Sequence, residues 1–289
     1  MPYQSIFRPG LFEGQTIIVT GGGSGIGRCT AHELASLGAH VALVGRTAEK
    51  LEQVRGEIAE DGGSASAHPC DIRDEGLVGE TIDAVLQARG RLDGLVNNAG
   101  GQYRTAMKTI STKGFEAVVR NNLTGGFIFM REAYNRWMEA HGGAIVNIIA
   151  DIWHGWPDFA HSAAARGGMF TLSETAACEW ASSGVRVNTV APGGIASSGF
   201  DTYAPEAKAK ILEFPPTVPL QRFGTEAEVS AAIVYLLSPG AAYITGSCVR
   251  VDGGTPNARG TWKQVPHHNS APFEGFHRAA LPELLRQQG

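Results

Sequence analysis

The run Thr20-Gly21-Gly22-Gly23-Ser24-Gly25-Ile26-Gly27 is the first stretch of the chain suited to binding chemistry. Its G-x-x-x-G-x-G spacing permits a tight turn, a close approach of backbone to a pyrophosphate, and close packing of a helix on the preceding strand. An apolar strand precedes it and a helical pattern follows. The helix start therefore offers free N–H groups and a positive dipole end to an anion. Gly21, Gly23, Ser24, Gly25, Ile26 and Gly27 are the expected contacts of a dinucleotide. Arg46 is the second such residue. It follows the next strand, where a cofactor with a free ribose 2′-hydroxyl meets Asp or Glu and one with a 2′-phosphate meets a cation. Lys50 lies one turn on, Arg28 follows the glycine loop, and no carboxylate occupies 45–48. This pattern favours NADP(H) over NAD(H). Asp71, preceded by Cys70 and followed by Ile72, is placed to bond the adenine amino group. Asn98, Ala99 and Gly100 are small enough to lie under the adenosine ribose.

Parallel strands must position these residues. Apolar runs at Thr16–Thr20, His40–Gly45, Ser66–Asp71, Leu92–Asn97, Ala144–Ala150, Val185–Ala191 and Ser247–Val251 read as strands. Helical patterns lie at Gly25–Leu37, Ala48–Glu60, Glu75–Ala88, Thr112–Ala140, Ala163–Ser182 and Thr225–Leu237. Strands alternating with helices imply βαβ units, and continuous apolar strands imply a sheet covered on both faces. The expectation is a doubly wound parallel α/β sheet of Rossmann type, about seven strands, in one domain over 1–289. Residues 193–224 break the pattern with Gly, Ser, Pro and aromatics, as a substrate lid would. A tail over 255–289 ends in a short amphipathic stretch, Ala279–Arg286.

Composition narrows the class. The 38 glycines in 289 residues are about twice the usual ~7% share. The net charge of −4, with no Lys/Arg run, speaks against a nucleic-acid partner. No apolar run reaches the ~18 residues of a membrane span, and the N-terminus lacks a secretory pattern. A cytoplasmic protein is expected. Cys29, Cys70, Cys178 and Cys248 are too scattered for a metal site and are expected to be buried reduced thiols.

TGGGSGIG, Cys70-Asp71, Asn97-Asn98-Ala99-Gly100, Asn122-Leu123-Thr124-Gly125, Ala191-Pro192-Gly193 and Val251-Asp252-Gly253-Gly254 occur in order. Together they resemble the short-chain dehydrogenase/reductase family over about residues 12–254. The resemblance implies a nicotinamide cofactor, also touched by Pro192, Gly193, Gly194 and Ile195, and a homodimer or homotetramer. It also implies a catalytic Asn, a Ser, and a Tyr-x-x-x-Lys pair. Asn122 fits the first. The serine position reads Ile149-Ala150-Asp151, and the Tyr-x-x-x-Lys position reads Ser162-Ala163-Ala164-Ala165-Arg166. Four residues apart on a helix, Ser162 and Arg166 share a face. Arg166 can hold a ribose but cannot relay a proton. His161 titrates near neutrality, and burial would raise the pKa of Asp151; either is a candidate proton carrier.

The altered group is similar to the enoyl-CoA and 2,4-dienoyl-CoA reductase branch of the family. The whole pattern, including the tail, is similar to bacterial citronellol/citronellal dehydrogenases. These resemblances imply an apolar substrate, either an acyclic terpenoid alcohol or aldehyde or an enoyl thioester. Trp153, Trp156, Phe159, Phe200 and Tyr203 are the expected lining. For a thioester, Arg104, Lys208 and Lys210 are candidate phosphate partners. Loss of the Tyr and Lys leaves open a third reading, a nucleotide-binding regulator without turnover.

Overall fold

The computed structural model describes residues 2–203 and 205–286. Among the described residues seven strands, β1 (Thr16–Thr20), β2 (His40–Gly45), β3 (Ser64–Pro69), β4 (Gly94–Asn97), β5 (Gly143–Ile148), β6 (Val185–Pro192) and β7 (Cys248–Val251), form one parallel sheet. Their order is β3-β2-β1-β4-β5-β6-β7. The order reverses between β1 and β4, and ligands of open α/β sheets bind in the crevice at such a point.

Helices cover both faces, which is why the strands carry apolar residues at successive positions. Ile17, Val19, Val41 and Leu43 point one way. They pack under α1 (Gly25–Ser36), α2 (Ala48–Glu60) and α9 (Glu226–Leu237), against Leu34, Leu51, Ile58 and Ile233. Ile18, Ala42, Val44 and Leu95 point the other way, toward α3 (Glu75–Arg89), α5 (Gly125–Ala133) and α7 (Ala160–Glu179). There they meet Ile82, Phe129 and Met169. Helix α9 starts at a full capping box, Thr225 with Glu228.

Several boundaries differ from the sequence pattern. Strand β3 begins at Ser64 and ends at Pro69, so Cys70 and Asp71 fall in the loop beyond it. The single helix read over 112–140 is α4 (Thr112–Val119), α5 and α6 (Glu139–His141), joined by π turns at Arg120–Thr124 and Tyr134–Met138. A π turn inserts an extra residue per turn, which an average 3.6-residue period cannot reveal. Helix α7 starts at Ala160 rather than Ala163 and thus carries His161 and Ser162 in its first turn. The irregular segment holds a helix of its own, α8 (Pro205–Leu212). Cys178 is exposed, against the expectation of burial; the other three cysteines are wholly or partly buried, and all four are free.

The tail folds back on the body. Phe276 is buried against Tyr3, with ring centroids 5.8 Å apart, and under the Arg28 guanidinium at 5.0 Å. Arg278 pairs with Asp61 at 2.9 Å. Arg222 joins Glu228 at 2.6 Å and reaches the Ser270 carbonyl at 3.1 Å. A short helix, α10 (Glu283–Arg286), ends the described chain, with the Leu284 N–H donating to Asp201.

Candidate active site

The glycine loop has no room for side chains. A Cβ on Gly27 would stand 2.3 Å from the Gly21 carbonyl oxygen and 2.5 Å from Asn98 Nδ2. Gly21 and Gly25 take φ of 67° and 56°, where a side chain is strained. Asn98 Nδ2 donates to the Thr20 carbonyl at 3.0 Å, and Thr20 Oγ1 accepts from the Asn98 and Ala99 N–H groups. These bonds tie the loop to the end of β4. The Ser24 side chain makes no capping bond to α1, and the first turn of that helix carries no acid. Its N–H groups thus remain available to an anion. Bare backbone, free N–H groups and a crevice at the switch point fit a dinucleotide's pyrophosphate.

Where the sequence pattern expects the adenosine, Arg46 and Lys50 are both exposed. Arg28 is not available there. It is bound to Glu57 at 2.8 Å and to the tail, so its contribution to the expected cation cluster is withdrawn. Asp71 is gripped by Arg73 through both carboxylate oxygens. That bonding, with Arg46 adding a smaller attraction, holds its pKa down to about 2.

A cavity of about 1000 Å³ opens beyond the carboxyl ends of β1, β4, β5 and β6. Ile26, Asn98, Gly100 and Pro192 to Ile195, all expected cofactor contacts, line one part of it. Trp153, Trp156, Phe159, Phe200 and Tyr203 line the far side, joined by Phe214 and Phe223. Stacked Trp156 and Phe159, 4.7 Å apart, build one wall with Tyr203 on its edge. Arg104, Lys210 and Arg259 also reach the cavity, whereas Lys208 does not line it. Arg104 is held by Asp158 at 2.7 Å, and the Asp158 carbonyl accepts from the Thr105 N–H. Two loops are pinned together there, with Asp158 and His154 in the left-handed region at φ 67° and 69°.

The five candidate catalytic side chains divide into two groups. Arg166 and Asp151 line the cavity; Asn122, His161 and Ser162 lie behind its surface. Asn122 sits in the π turn after α4. It grips both backbone groups of Gly101, accepting from its N–H at 2.9 Å and donating to its carbonyl at 2.7 Å. Arg166 is buried and donates to the Ile148 carbonyl, and burial lowers its pKa to about 10, still charged at neutral pH. Its Nε has no acceptor among the described residues. A Cβ on Gly100 would collide with both Arg166 and Asn122, so glycine there keeps the guanidinium against the strand end.

Asp151 has one carboxylate oxygen buried without a hydrogen bond among the described residues. Burial and the nearby charge of Asp252 push its pKa upward, against a hydrogen bond from the Trp153 N–H. His161 is fully buried and stands edge-on to Tyr103 at 4.5 Å; burial lowers its pKa. Ser162, also fully buried, donates to Gln102 Oε1 at 3.0 Å. Gln102 does line the cavity. Sequence reasoning passed over it; its proximity to Gly100, just past the fourth strand, was the available signal. No cluster of metal-ligating side chains occurs among the described residues, and no helix there is long and apolar enough to cross a membrane.

A family model described as Enoyl-(Acyl carrier protein) reductase, of the short-chain dehydrogenase/reductase type, matches residues 21–256. The chain belongs to the short-chain dehydrogenase/reductase family. As a member it is an oxidoreductase. It is 36% identical over 245 residues to a probable 2,4-dienoyl-CoA reductase of Bacillus subtilis (strain 168), covering 84% of this chain and 96% of that one. A solved structure of the citronellol catabolism dehydrogenase AtuB of Pseudomonas aeruginosa PAO1 is 57% identical, with TM-score 0.79. It spans 88% of this chain and all (100%) of that one. A putative NAD(P) dependent gluconate 5-dehydrogenase from Beutenbergia cavernae, solved with bound NADP at low occupancy, is 35% identical with TM-score 0.80, covering 86% and 99%. The family binds NAD(P).

Proposed function

We propose that this family member is an NADP(H)-dependent oxidoreductase of an acyclic terpenoid alcohol or aldehyde of the citronellol/citronellal kind. The observation that carries this reading is the cavity. It is large enough for a ring and a branched ten-carbon chain together, and its far side is aromatic. The 57% identity to a citronellol catabolism dehydrogenase supports it. When bound, the nicotinamide accepts or donates the hydride.

The chain's own groups do the rest. Arg166, charged and with an Nε that has no acceptor among the described residues, would hold the nicotinamide ribose. In the oxidative direction the Asp151 carboxylate takes the hydroxyl proton as hydride leaves, and in the reductive direction its acid form returns it. The raised pKa suits both tasks, because an ordinary carboxylate is too weak a base near neutral pH. Asn122 shapes the floor by fixing Gly101.

A second reading, reduction of an enoyl-CoA, is favoured by Arg104, Lys210 and Arg259 at the cavity, where a nucleotide's phosphates would meet cations. A screen of NADP⁺ with citronellol, NADPH with citronellal, and NADPH with medium-chain enoyl-CoAs distinguishes the two. Turnover of the terpenoids but not the thioesters is expected. The reverse result replaces the first reading with the second.

A further inference from the structure

We infer that Gln102 is a substrate-binding residue, donating a hydrogen bond from its side-chain amide to the substrate oxygen, and that Ser162 acts through it as a positioning residue. The inference deepens the terpenoid reading and rests on it. Ser162 occupies a slot that points at the substrate in sequence terms, yet its hydroxyl is fully buried and absent from the cavity surface. Its hydrogen bond goes to Gln102 Oε1. A primary amide is planar, with its acceptor oxygen and its donor NH₂ on either side of the bond that joins it to the chain. With the oxygen held from behind by Ser162, the NH₂ turns away from α7. Gln102 itself is on the cavity wall, and Nε2 makes no hydrogen bond to the described residues. Two N–H donors are therefore left to a side chain that lines the same cavity as Asp151 and Arg166.

The surroundings hold this arrangement. Gly101, the preceding residue, is clamped by Asn122 through both of its backbone groups. Arg104, two residues on, is fixed to Asp158. The segment carrying Gln102 is anchored at both ends, so the amide is presented with little freedom to lose on binding. A carbonyl or hydroxyl oxygen is what such a donor recognises, and a hydrocarbon end is not. Gln102 would thus orient the functional end of an otherwise apolar molecule, while the aromatic wall takes the chain.

The test uses the full chain with bound NADP⁺ and citronellal labelled with ¹³C at the carbonyl. Binding is measured by calorimetry, and the carbonyl stretch by difference infrared spectroscopy. The wild-type protein should bind the aldehyde with its stretch moved to lower frequency, as a donated hydrogen bond demands. Gln102→Leu should lose that displacement and weaken binding about three- to ten-fold, the worth of one neutral hydrogen bond. Ser162→Ala should leave a smaller displacement, and in the Gln102→Leu background it should add nothing. NADP⁺ affinity, unchanged in both variants, serves as the control for folding. An unchanged carbonyl stretch in Gln102→Leu overturns the role of Gln102. A Ser162→Ala effect that persists in full without Gln102 overturns the positioning role. Failure of the wild type to bind the aldehyde at all rejects the terpenoid reading, and this inference with it.

Discussion

Charge reversal at Arg46 tests the cofactor assignment most directly. Arg46 is exposed at the end of β2 with no carboxylate paired to it among the described residues, while Arg28 is committed to Glu57. A unit charge about 4 Å away in water contributes about 1 kcal/mol. A ribose phosphate carries close to two charges, so Arg46 is worth about 2 kcal/mol, roughly thirty-fold in Kd. Arg46→Ala should remove that thirty-fold preference for NADPH. Arg46→Asp replaces attraction with a repulsion of similar size, so the NADPH/NADH affinity ratio should swing by about a thousand-fold. Both charges are in solvent. Raising the salt from about 0.1 M to about 1 M shortens the screening length from ~10 Å to ~3 Å and should shrink the wild-type preference. Tryptophan fluorescence quenching gives both constants. Tighter binding of NADH than NADPH by the wild type, or a ratio that Arg46→Asp leaves alone, would refute the reasoning.

Asp151→Asn should cut kcat by about a hundred-fold or more and abolish the acidic limb of the oxidative pH profile. Because the folded pKa of Asp151 is raised, its ionisation opposes folding above the ordinary carboxylate range. The same variant should therefore have a higher Tm at neutral pH, a readout that needs no substrate. Asp252→Asn removes the neighbouring charge and should move the limb to lower pH. His161→Ala should leave the pH profile of turnover intact, since the imidazole lies behind the cavity wall. Its lowered folded pKa means that its contribution to stability is fully present above about pH 6.5 and is lost as pH falls through the folded value; a flatter acid limb of Tm against pH in the alanine variant checks this. Gly27→Ala forces the loop apart at a cost of about 1–3 kcal/mol, and NADPH affinity should fall at least ten-fold in a titration. Phe276→Ala empties a buried aromatic site at a cost of about 3 kcal/mol, so Tm should fall by about 5 °C.

Sequence periodicity carried the sheet, its parallel sense and the glycine loop, because those depend on local apolar runs and on glycines at fixed offsets. Distant pairings were invisible. Nothing near Arg28 in the chain announces that its partners are Glu57 and the backbone at Arg278, so a cation counted toward the cofactor was already occupied. The π turn carrying Asn122 was read as ordinary helix, because an inserted residue only shifts the apolar face gradually. His161 and Ser162 were assigned by position in a motif, and position does not say which side of a wall a side chain occupies. Their burial follows from the start of α7 at Ala160 and from the loop at Gln102 and Tyr103, which lies between them and the cavity.

The packing of Tyr3 and Gln4 against Phe276 and Gly275 closes the chain almost into a ring. The bond from Arg28 to the Arg278 carbonyl spans 250 positions. During synthesis the hydrophobic surface around Tyr3 and Cys29 stays uncovered until Phe276, more than 200 positions on, has emerged.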